Sequence, residues 1–269
     1  MTRTVFFISD GTGITAETLG RSLLTQFEMI SFTYTTIPYV NNAQKAEQTI
    51  KRIKQAMKKD GEKPIIFATL IDPEISRLLH QGPGLIMDFF QTFINPLEAE
   101  LKHKSSHAIG RSHGVKNYKE YMTRINAVNY ALAHDDGVNT REYAKADVIL
   151  VGVSRCGKTP SCLYLALQFG LFAANYPLTE EDMHDSNIPE SLKACHDKLF
   201  GLTIDPIRLH KIRQERRPNS DYASIKRCES ELEYAQVLFQ KEQIPYLDTT
   251  SRSIEEIAAE IMSIIKIKR

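Results

Sequence analysis

The chain has 269 residues, of which 42% are hydrophobic and 25% are charged, and its formal net charge is +1. This composition is ordinary for globular proteins and excludes the disordered and fibrous classes. The length fits one large domain or two smaller ones. Because nucleic-acid-binding proteins usually carry a strongly basic domain or face, the near-neutral charge predicts that the chain has no nucleic-acid partner.

The cysteines and the apolar runs bear on the cellular compartment. None of the four cysteines belongs to a C-x-x-C pair, which favours free thiols in a reducing cytosol. The first apolar run ends at Ser9-Asp10, too short for a signal peptide, and no segment approaches the roughly 18 apolar residues of a membrane helix. We therefore expect a cytoplasmic protein that does not associate with membranes.

The first 100 residues alternate between strand-like and helix-like patterns. The β-branched and aromatic run Val5–Ile8 is stopped by Asp10-Gly11-Thr12-Gly13, and apolar residues at helical spacing follow. Further strand-like runs lie near 32–35, 64–70 and 84–88. Asp72 and Pro73 have the order of an N-cap and a first helical residue. Such alternation predicts a parallel α/β sheet.

Residues 102–117 interrupt this alternation. They show no periodicity and no acidic residue, but contain four Lys/Arg and three of the eight histidines. The segment is therefore a basic loop, either a solvated linker or a functional loop. A helical pattern covers 118–133 and ends at a polar break, and the next regular pattern begins near Ala146. We predict an N-terminal α/β domain with a basic loop at 1–145 and a second domain at 146–269.

The second half has the element order of a compact nucleotide-dependent kinase. The predicted strands lie at 147–151, 171–176, 199–204 and 244–248, and the predicted helices at 159–169, 206–217, 221–241 and 253–266. Ser253 and Glu256 have the spacing of a capping box at the start of the last helix. The predicted fold class is α/β: an N-terminal parallel α/β domain followed by a P-loop kinase-like α/β domain.

The strongest motif of the chain lies at the start of this second domain. It fits G-x-x-x-x-G-K-[ST] between a buried-type strand and an apolar helix, and it consists of Gly152, Val153, Ser154, Arg155, Cys156, Gly157, Lys158 and Thr159. In such a loop, consecutive backbone N–H groups surround phosphate oxygens, and the helix N-terminus adds its positive dipole end. These eight residues are therefore the predicted nucleotide-binding site.

Individual roles follow from this motif. We expect Lys158 to contact the phosphate being transferred, as an exposed loop lysine that contributes little to stability. Thr159 offers a hydroxyl to Mg²⁺, which would arrive as the nucleotide complex. Asp205, at a strand end, either holds the same Mg²⁺ through water or caps a helix. Cys156 is either a small filler in the loop or a thiol whose pKa the positive loop lowers, making it oxidisable.

Further charged groups are candidates for catalysis. A basic helix places Arg213 beside Arg216 and Arg217, and such a cluster either neutralises a phosphoryl group in transfer or forms a solvated helix face. Asp10, Asp135 and Asp136 are candidate bases that the sequence does not rank. The Asp10–Gly13 turn is either a second anion site or a helix-capping turn, and the loop around Arg111 and His113 belongs to the same alternative.

Taken together, these motifs resemble a known bacterial family. The segments that carry the resemblance are ISDGTGITAE at 8–17, AHDDG at 133–137, GVSRCGKTP at 152–160 and LFGLTIDP at 199–206. They match, in the same order and over nearly the whole chain, the phosphoenolpyruvate synthase regulatory proteins, whose relatives act on pyruvate, phosphate dikinase.

This resemblance implies a bifunctional transferase. Such an enzyme phosphorylates a threonine of its protein substrate, here phosphoenolpyruvate synthase, with ADP as the donor. It removes that phosphate in a phosphate-dependent reaction that yields pyrophosphate. ADP and phosphate are then substrates, and Gly152–Thr159 is the ADP-binding segment. The resemblance leaves open whether the chain acts as a monomer or as a homodimer.

Two other functions compete with this one. The second domain alone fits an ATP-dependent small-molecule P-loop kinase, which would use ATP in place of ADP. A nucleotide-sensing module without catalysis would bind nucleotide but produce no phosphothreonine. The basic helix and the histidine-containing loop argue against a pure sensor, because a sensor needs fewer groups that stabilise transition-state charge.

Overall fold

The computed structural model describes residues 2–106, 118–184 and 187–265. Most of the predicted basic loop, including Arg111 and His113, lies outside the described residues. The chain forms two compact units, Met1–Lys116 and Asn117–Arg269. Each unit contains one four-stranded parallel sheet flanked by helices, which confirms the predicted α/β class. Within the described residues, no helix is both long and apolar enough to cross a membrane.

The first unit alternates strands and helices as the sequence predicts. Its strands are β1 (Thr2–Ser9), β2 (Ser31–Ile37), β3 (Ile65–Thr69) and β4 (Leu85–Asp88). Its helices are α1 (Ile14–Leu24), α2 (Ala43–Asp60), α3 (Pro73–Leu79) and α4 (Phe89–Leu101). The strand order is β2-β1-β3-β4, and every pair is parallel.

Alternate residues of the central strands build two apolar layers in this unit. Phe6, Ile8 and Ile66 pack in one layer with residues of α2 and α3. Phe7 and Phe67 pack in the other layer with residues of α1. Because successive strand side chains point to opposite faces, a sheet covered on both faces gives the continuous apolar runs seen in β1 and β3.

The second unit is organised around the strand that precedes the predicted nucleotide-binding loop. Its strands are β5 (Val148–Gly152), β6 (Ala173–Pro177), β7 (Leu199–Thr203) and β8 (Tyr246–Asp248). Its helices are α5 (Tyr118–Ala133), α6 (Lys158–Phe169), α7 (Glu180–His184), α8 (Glu190–Lys193), α9 (Pro206–Arg216), α10 (Ile225–Lys241) and α11 (Ile254–Ile265). Short 3₁₀ segments lie at Asp135–Gly137, Thr140–Lys145, His196–Lys198 and Asp221–Ala223.

The division between the units lies earlier than the predicted boundary at 145/146. Helix α5 belongs to the second unit because it packs against α6 and β6. Tyr130 of α5 stacks on Phe172 with ring centroids 4.9 Å apart, and it belongs to the core of the second sheet. The polar break at His134–Gly137 is therefore a turn inside the second unit, where it lies beside β6.

Helix ends follow the local capping chemistry. The capping box at Ser253 forms as predicted, because the Ser253 amide donates to Glu256 Oε2 at 2.8 Å and Ser253 Oγ accepts from the Glu256 amide at 3.2 Å. Helix α10 begins later than predicted, since Ser224 caps it and the preceding residues form a 3₁₀ turn. The short helices α7 and α8 have no clear apolar period and were not predicted.

Both sheets place a glycine-rich turn at their switch point. The second sheet has the order β6-β5-β7-β8, so β5 and β1 hold equivalent positions in their sheets. In an open parallel sheet, the strand where the order reverses leaves a crevice at its carboxyl end. The Asp10–Gly13 turn and the Gly152–Thr159 loop follow these two strands, although the sequence shows no internal repeat.

Gly201 shows how tightly the second sheet is packed. A methyl group at this position of β7 would lie 2.6 Å from Cε2 of Phe239, a buried residue of α10. We expect Gly201→Ala to lower the free energy of unfolding by about 1–3 kcal/mol through overpacking. Urea unfolding measures this loss. The same substitution in a Phe239→Leu background should cost clearly less, because the ring edge is removed, and equal costs in both backgrounds would contradict the packing explanation.

Candidate functional site

The Gly152–Thr159 loop connects β5 to α6 and leaves the start of α6 without a side-chain cap. Gly157 is the N-cap and adopts a left-handed conformation with φ of 96°, which glycine accepts without strain. The first N–H groups of a helix have no acceptor within the helix. The loop therefore presents backbone donors and the positive end of the α6 dipole together.

Gly152 is packed closely against Cys156 and against strand β7. A Cβ on Gly152 would lie 2.4 Å from the Leu202 carbonyl oxygen and 2.8 Å from Cys156 Sγ, so only glycine fits there. Cys156 is fully buried, and this burial raises the pKa of its thiol. Both findings favour the filler interpretation of Cys156 over the alternative of a thiol whose pKa the positive loop lowers.

A cavity of about 240 Å³ opens over the loop. Its lining combines loop residues with residues from the His134–Gly137 turn and from α9: Asp136, Ser154, Arg155, Gly157, Lys158, Thr159, Pro160, Ile212 and Arg216. Cavities that enclose a drug-sized ligand usually measure about 300–1,000 Å³. The size and the charged lining of this cavity suit phosphate groups better than a whole nucleotide.

Lys158 is buried, which corrects the expectation of an exposed loop lysine. Its side chain lies at the base of the cavity, and Nζ donates a hydrogen bond of 2.8 Å to the Val153 carbonyl. A buried ammonium group is costly unless it is hydrogen-bonded, so the Val153 carbonyl satisfies part of this cost. An incoming anion at the loop would give Lys158 a stronger, charge-assisted partner.

Asp135 and Thr159 form the polar centre of the site. Thr159 Oγ1 donates to Asp135 Oδ1 at 2.7 Å, and Asn175 Nδ2 donates to the same oxygen. Asn175 Oδ1 in turn accepts from the Asp136 amide at 3.0 Å, which fixes the turn. The sequence-predicted residues Asp135 and Asp136 therefore lie beside Lys158 and Thr159.

Asp205 takes one of its two predicted roles in this structure. Its carboxylate caps α9 by accepting from the Arg208 amide at 2.8 Å, and its own amide donates to Thr250 Oγ1. Asp205 is not among the residues that line the cavity, whereas Thr159 is. The oxygen donors adjacent to the loop are instead the Thr159 hydroxyl and the Asp135 carboxylate.

Arg213 and Arg216 do not form the single cluster that their spacing predicts. Arg216 is exposed and lines the cavity. Arg213 is completely buried, and its Nη2 donates to Glu231 Oε2 at 2.6 Å and to the Ser154 carbonyl at 3.1 Å. Its donors therefore face fixed protein acceptors, and its place in a charge-neutralising cluster with Arg216 and Arg217 is wrong.

The buried arginine fastens the loop to the 3₁₀ turn at Asp221–Ala223. Arg213 Nη1 donates to the Tyr222 carbonyl at 3.0 Å, and its Cζ lies 4.3 Å from the centre of the Tyr222 ring. Ser154 Oγ and Tyr222 Oη are hydrogen-bonded at 2.9 Å. We call this set, Ser154, Arg213, Tyr222 and Glu231, the arginine clamp.

Sequence reasoning missed Tyr222, Glu231, Asn175 and Thr249 as supporting residues. Thr249 Oγ1 donates a hydrogen bond of 3.1 Å to the Cys156 carbonyl oxygen and so helps to hold the loop in place. Asn175 was the most detectable of them, because it is a polar residue inside an otherwise apolar predicted strand. The other contacts join residues far apart in sequence, which no local pattern reveals.

The Asp10–Gly13 turn of the first unit combines capping and backbone contacts. Gly13 is the left-handed N-cap of α1, with φ of 85°. Asp10 Oδ2 accepts a hydrogen bond from the Ile71 amide at 2.6 Å, so the carboxylate of this predicted base has a backbone partner within the first unit. Burial raises the pKa of Asp10, and the charges of Asp72 and Asp88 add to that increase, while the Ile71 hydrogen bond opposes it.

Comparisons with known proteins match the whole chain. Residues 5–262 match the model of a family described as kinase/pyrophosphorylase. A Legionella pneumophila (strain Corby) protein is 54% identical over 269 residues, covering 100% of this chain and 99% of its own. A Stutzerimonas stutzeri (strain A1501) protein is 56% identical over 262 residues, covering 97% and 96%. Both carry the provisional name phosphoenolpyruvate synthase regulatory protein.

The arginine clamp predicts different stability effects for two neighbouring arginines. Removing one partner of a buried ion pair typically costs about 3–5 kcal/mol. We expect Arg213→Ala to lower the free energy of unfolding by an amount near the lower value, because Arg227 Nε still donates to Glu231 at 2.9 Å. Arg216→Ala should change the free energy of unfolding by no more than about 0.5 kcal/mol, since the Arg216 side chain is exposed. Urea unfolding of both variants checks this, and equal losses would show that Arg213 is not a structural anchor.

Proposed function

Since this chain belongs to the kinase/pyrophosphorylase family, we propose that it is a bifunctional transferase acting on phosphoenolpyruvate synthase. It would phosphorylate a threonine of that enzyme with ADP as donor, and remove the phosphate in a phosphate-dependent reaction yielding pyrophosphate. The observation that carries this proposal is the cavity over the Gly152–Thr159 loop, which the buried Lys158, Thr159 and Asp136 line, with the Asp135 carboxylate hydrogen-bonded to the Thr159 hydroxyl. The names of the full-length relatives support the protein substrate.

The loop would act as a P-loop that holds the phosphates of ADP. Its backbone donors and the α6 dipole suit the phosphate nearest the nucleoside. Lys158 would exchange its hydrogen bond with the Val153 carbonyl for one with the phosphate being transferred. The nucleoside would extend outside the cavity, because about 240 Å³ accommodates little more than the phosphates.

The oxygen donors beside the loop fit Mg²⁺. Thr159 Oγ1 and the Asp135 carboxylate are hard ligands of the kind that Mg²⁺ uses together with substrate phosphates. When bound with the nucleotide, the ion would neutralise charge on the phosphate oxygens. Asp135 would hold Thr159 in place. Asp136, which lines the cavity, would accept the hydroxyl proton of the threonine in the protein substrate.

Both reactions move one phosphoryl group between a threonine oxygen and a phosphate oxygen. In the forward reaction, the threonine oxygen forms a bond to the β-phosphorus of ADP, the bond to AMP breaks, and the hydroxyl proton is lost. In the removal reaction, an oxygen of inorganic phosphate attacks the phosphothreonine, giving pyrophosphate and a threonine oxygen that takes up a proton. Since AMP and phosphate are the exchanging partners, one loop can serve both, largely by positioning and charge neutralisation.

The first test is mass spectrometry of phosphoenolpyruvate synthase after incubation with this protein, Mg²⁺ and either ADP or ATP. We expect a phosphothreonine and AMP with ADP, and none with ATP. Lys158→Met, which keeps an apolar stem in the buried position, should abolish phosphorylation and phosphate-dependent removal together. Lys211→Met is the matched control, because Lys211 is exposed on α9 and outside the cavity lining.

Three outcomes would contradict this proposal. Phosphorylation with ATP alone would favour an ATP-dependent kinase, and nucleotide binding without phosphothreonine would favour a sensing module. A folded Lys158→Met variant that loses only the kinase reaction would place the two reactions in separate sites. Circular dichroism confirms that each variant is folded, which the burial of Lys158 makes necessary.

A shared loop also predicts how the substrates compete. ADP should inhibit the phosphate-dependent reaction competitively with respect to phosphate, because its two phosphates occupy the positions of phosphate and of the phosphothreonine group. AMP should compete more weakly, since it lacks the terminal phosphate. Steady-state rates of pyrophosphate release at several ADP and phosphate concentrations measure both effects. Inhibition that high phosphate does not overcome would direct attention to the Asp10–Gly13 turn as a second anion site.

A further inference from the structure

Two arginine side chains at the cavity over the loop have no partner among the described residues. Arg155 and Arg216 are exposed and line the cavity, and neither side chain forms a hydrogen bond or ion pair within the part of the chain that the structure describes. By contrast, Arg213 is held by Glu231, and Arg227 is held by Glu180, Asp221 and Glu231. The cavity therefore has two guanidinium groups available for a ligand.

The backbone at Arg155 gives a second reason to assign this side chain a function. Arg155 has φ of 77°, in the left-handed region that a residue with a Cβ adopts only with strain. Glycine would satisfy the same conformation without that strain. An arginine in a strained position beside a polar cavity is the kind of outlier that indicates a functional side chain.

The positively charged groups at the cavity form two sets. The N-terminus of α6 would face the phosphate nearest the nucleoside, and Lys158 would offer one positive charge to the phosphate being transferred. Arg155 follows Ser154 on the loop, whereas Arg216 comes from the last turn of α9, so the two guanidinium groups reach the cavity from different elements. The terminal phosphoryl group of a nucleoside diphosphate carries about −1.5 to −2 charges, which Lys158 alone does not balance and which the two guanidinium groups help to neutralise.

We propose that Arg155 and Arg216 form a subsite for the terminal phosphate of a nucleoside diphosphate, and thereby distinguish ADP from AMP. The same subsite takes the phosphoryl group of phosphothreonine in the removal reaction, since that group and the β-phosphate are the same group before and after transfer. This inference rests on the proposed function, in which the backbone donors of the Gly152–Thr159 loop hold the phosphate nearest the nucleoside and Lys158 contacts the terminal one. Both arginines are therefore specificity-determining residues.

Calorimetric titration with ADP and with AMP tests the subsite directly. The titrations are run in EDTA, so that no metal contributes to the preference for ADP. The variants are Arg155→Gly, which keeps the left-handed backbone without strain, and Arg216→Gln. Each should weaken ADP binding about tenfold and leave AMP binding within about twofold, because a lost charge-assisted hydrogen bond affects only the terminal phosphate. Arg217→Gln, adjacent on the chain and outside the cavity lining, should change neither affinity.

The remaining outcomes separate this inference from the proposed function. Equal weakening of ADP and AMP in the two variants would show that the arginines shape the loop, and would overturn the subsite. A wild-type protein that binds ADP and AMP equally, or variants that keep the full preference for ADP, would also overturn it while leaving nucleotide binding intact. A wild-type protein that binds neither nucleotide, in EDTA or in a second titration with Mg²⁺, would reject the proposed function itself.

Discussion

The buried ion pair between Arg213 and Glu231 is the contact on which the shape of the site depends. Through the Ser154 carbonyl, Arg213 joins the loop after β5 to α9, to α10 and to the Tyr222 turn. A buried ion pair is weak support for stability by itself, because desolvation offsets much of the Coulomb attraction. Its effect here is geometric, since one planar guanidinium group satisfies several carbonyl and carboxylate acceptors at once and leaves the loop few alternative positions.

The arrangement divides the cationic residues by function. Arg213 is committed to the fold, Lys158 is buried with a weak carbonyl partner, and Arg216 is exposed at the cavity. Such a division suits phosphate chemistry, in which most of the catalysis comes from positioning and from charges fixed in advance. A site in which all cations were exposed would lose much of this benefit, because water would screen them.

The sequence predicted most of the fold but only part of the site, for physical reasons. Strand and helix positions followed from apolar periodicity, because the central strands β1, β3 and β5 are covered on both faces and contain continuous apolar runs. The loop motif was recognisable because its glycines and lysine are adjacent along the chain. The burial of Arg213 was not predictable, because spacing on a helix indicates which residues share a face but not what lies against that face. Likewise, the burial of Lys158 depends on how the loop folds back toward Val153.

The two units show that topology alone does not make an anion site. Both sheets have the same strand order, and both place a left-handed glycine at the start of the helix after the first strand. In the first unit, however, the turn carries no lysine or arginine, and the pKa of Asp10 is raised by burial and, to a smaller extent, by the charges of Asp72 and Asp88. In the second unit the equivalent loop contributes Arg155 and Lys158 to a cavity that Arg216 completes. Because an anion is favoured where the local charge is positive, the second loop suits a phosphate group better than the turn of the first unit does.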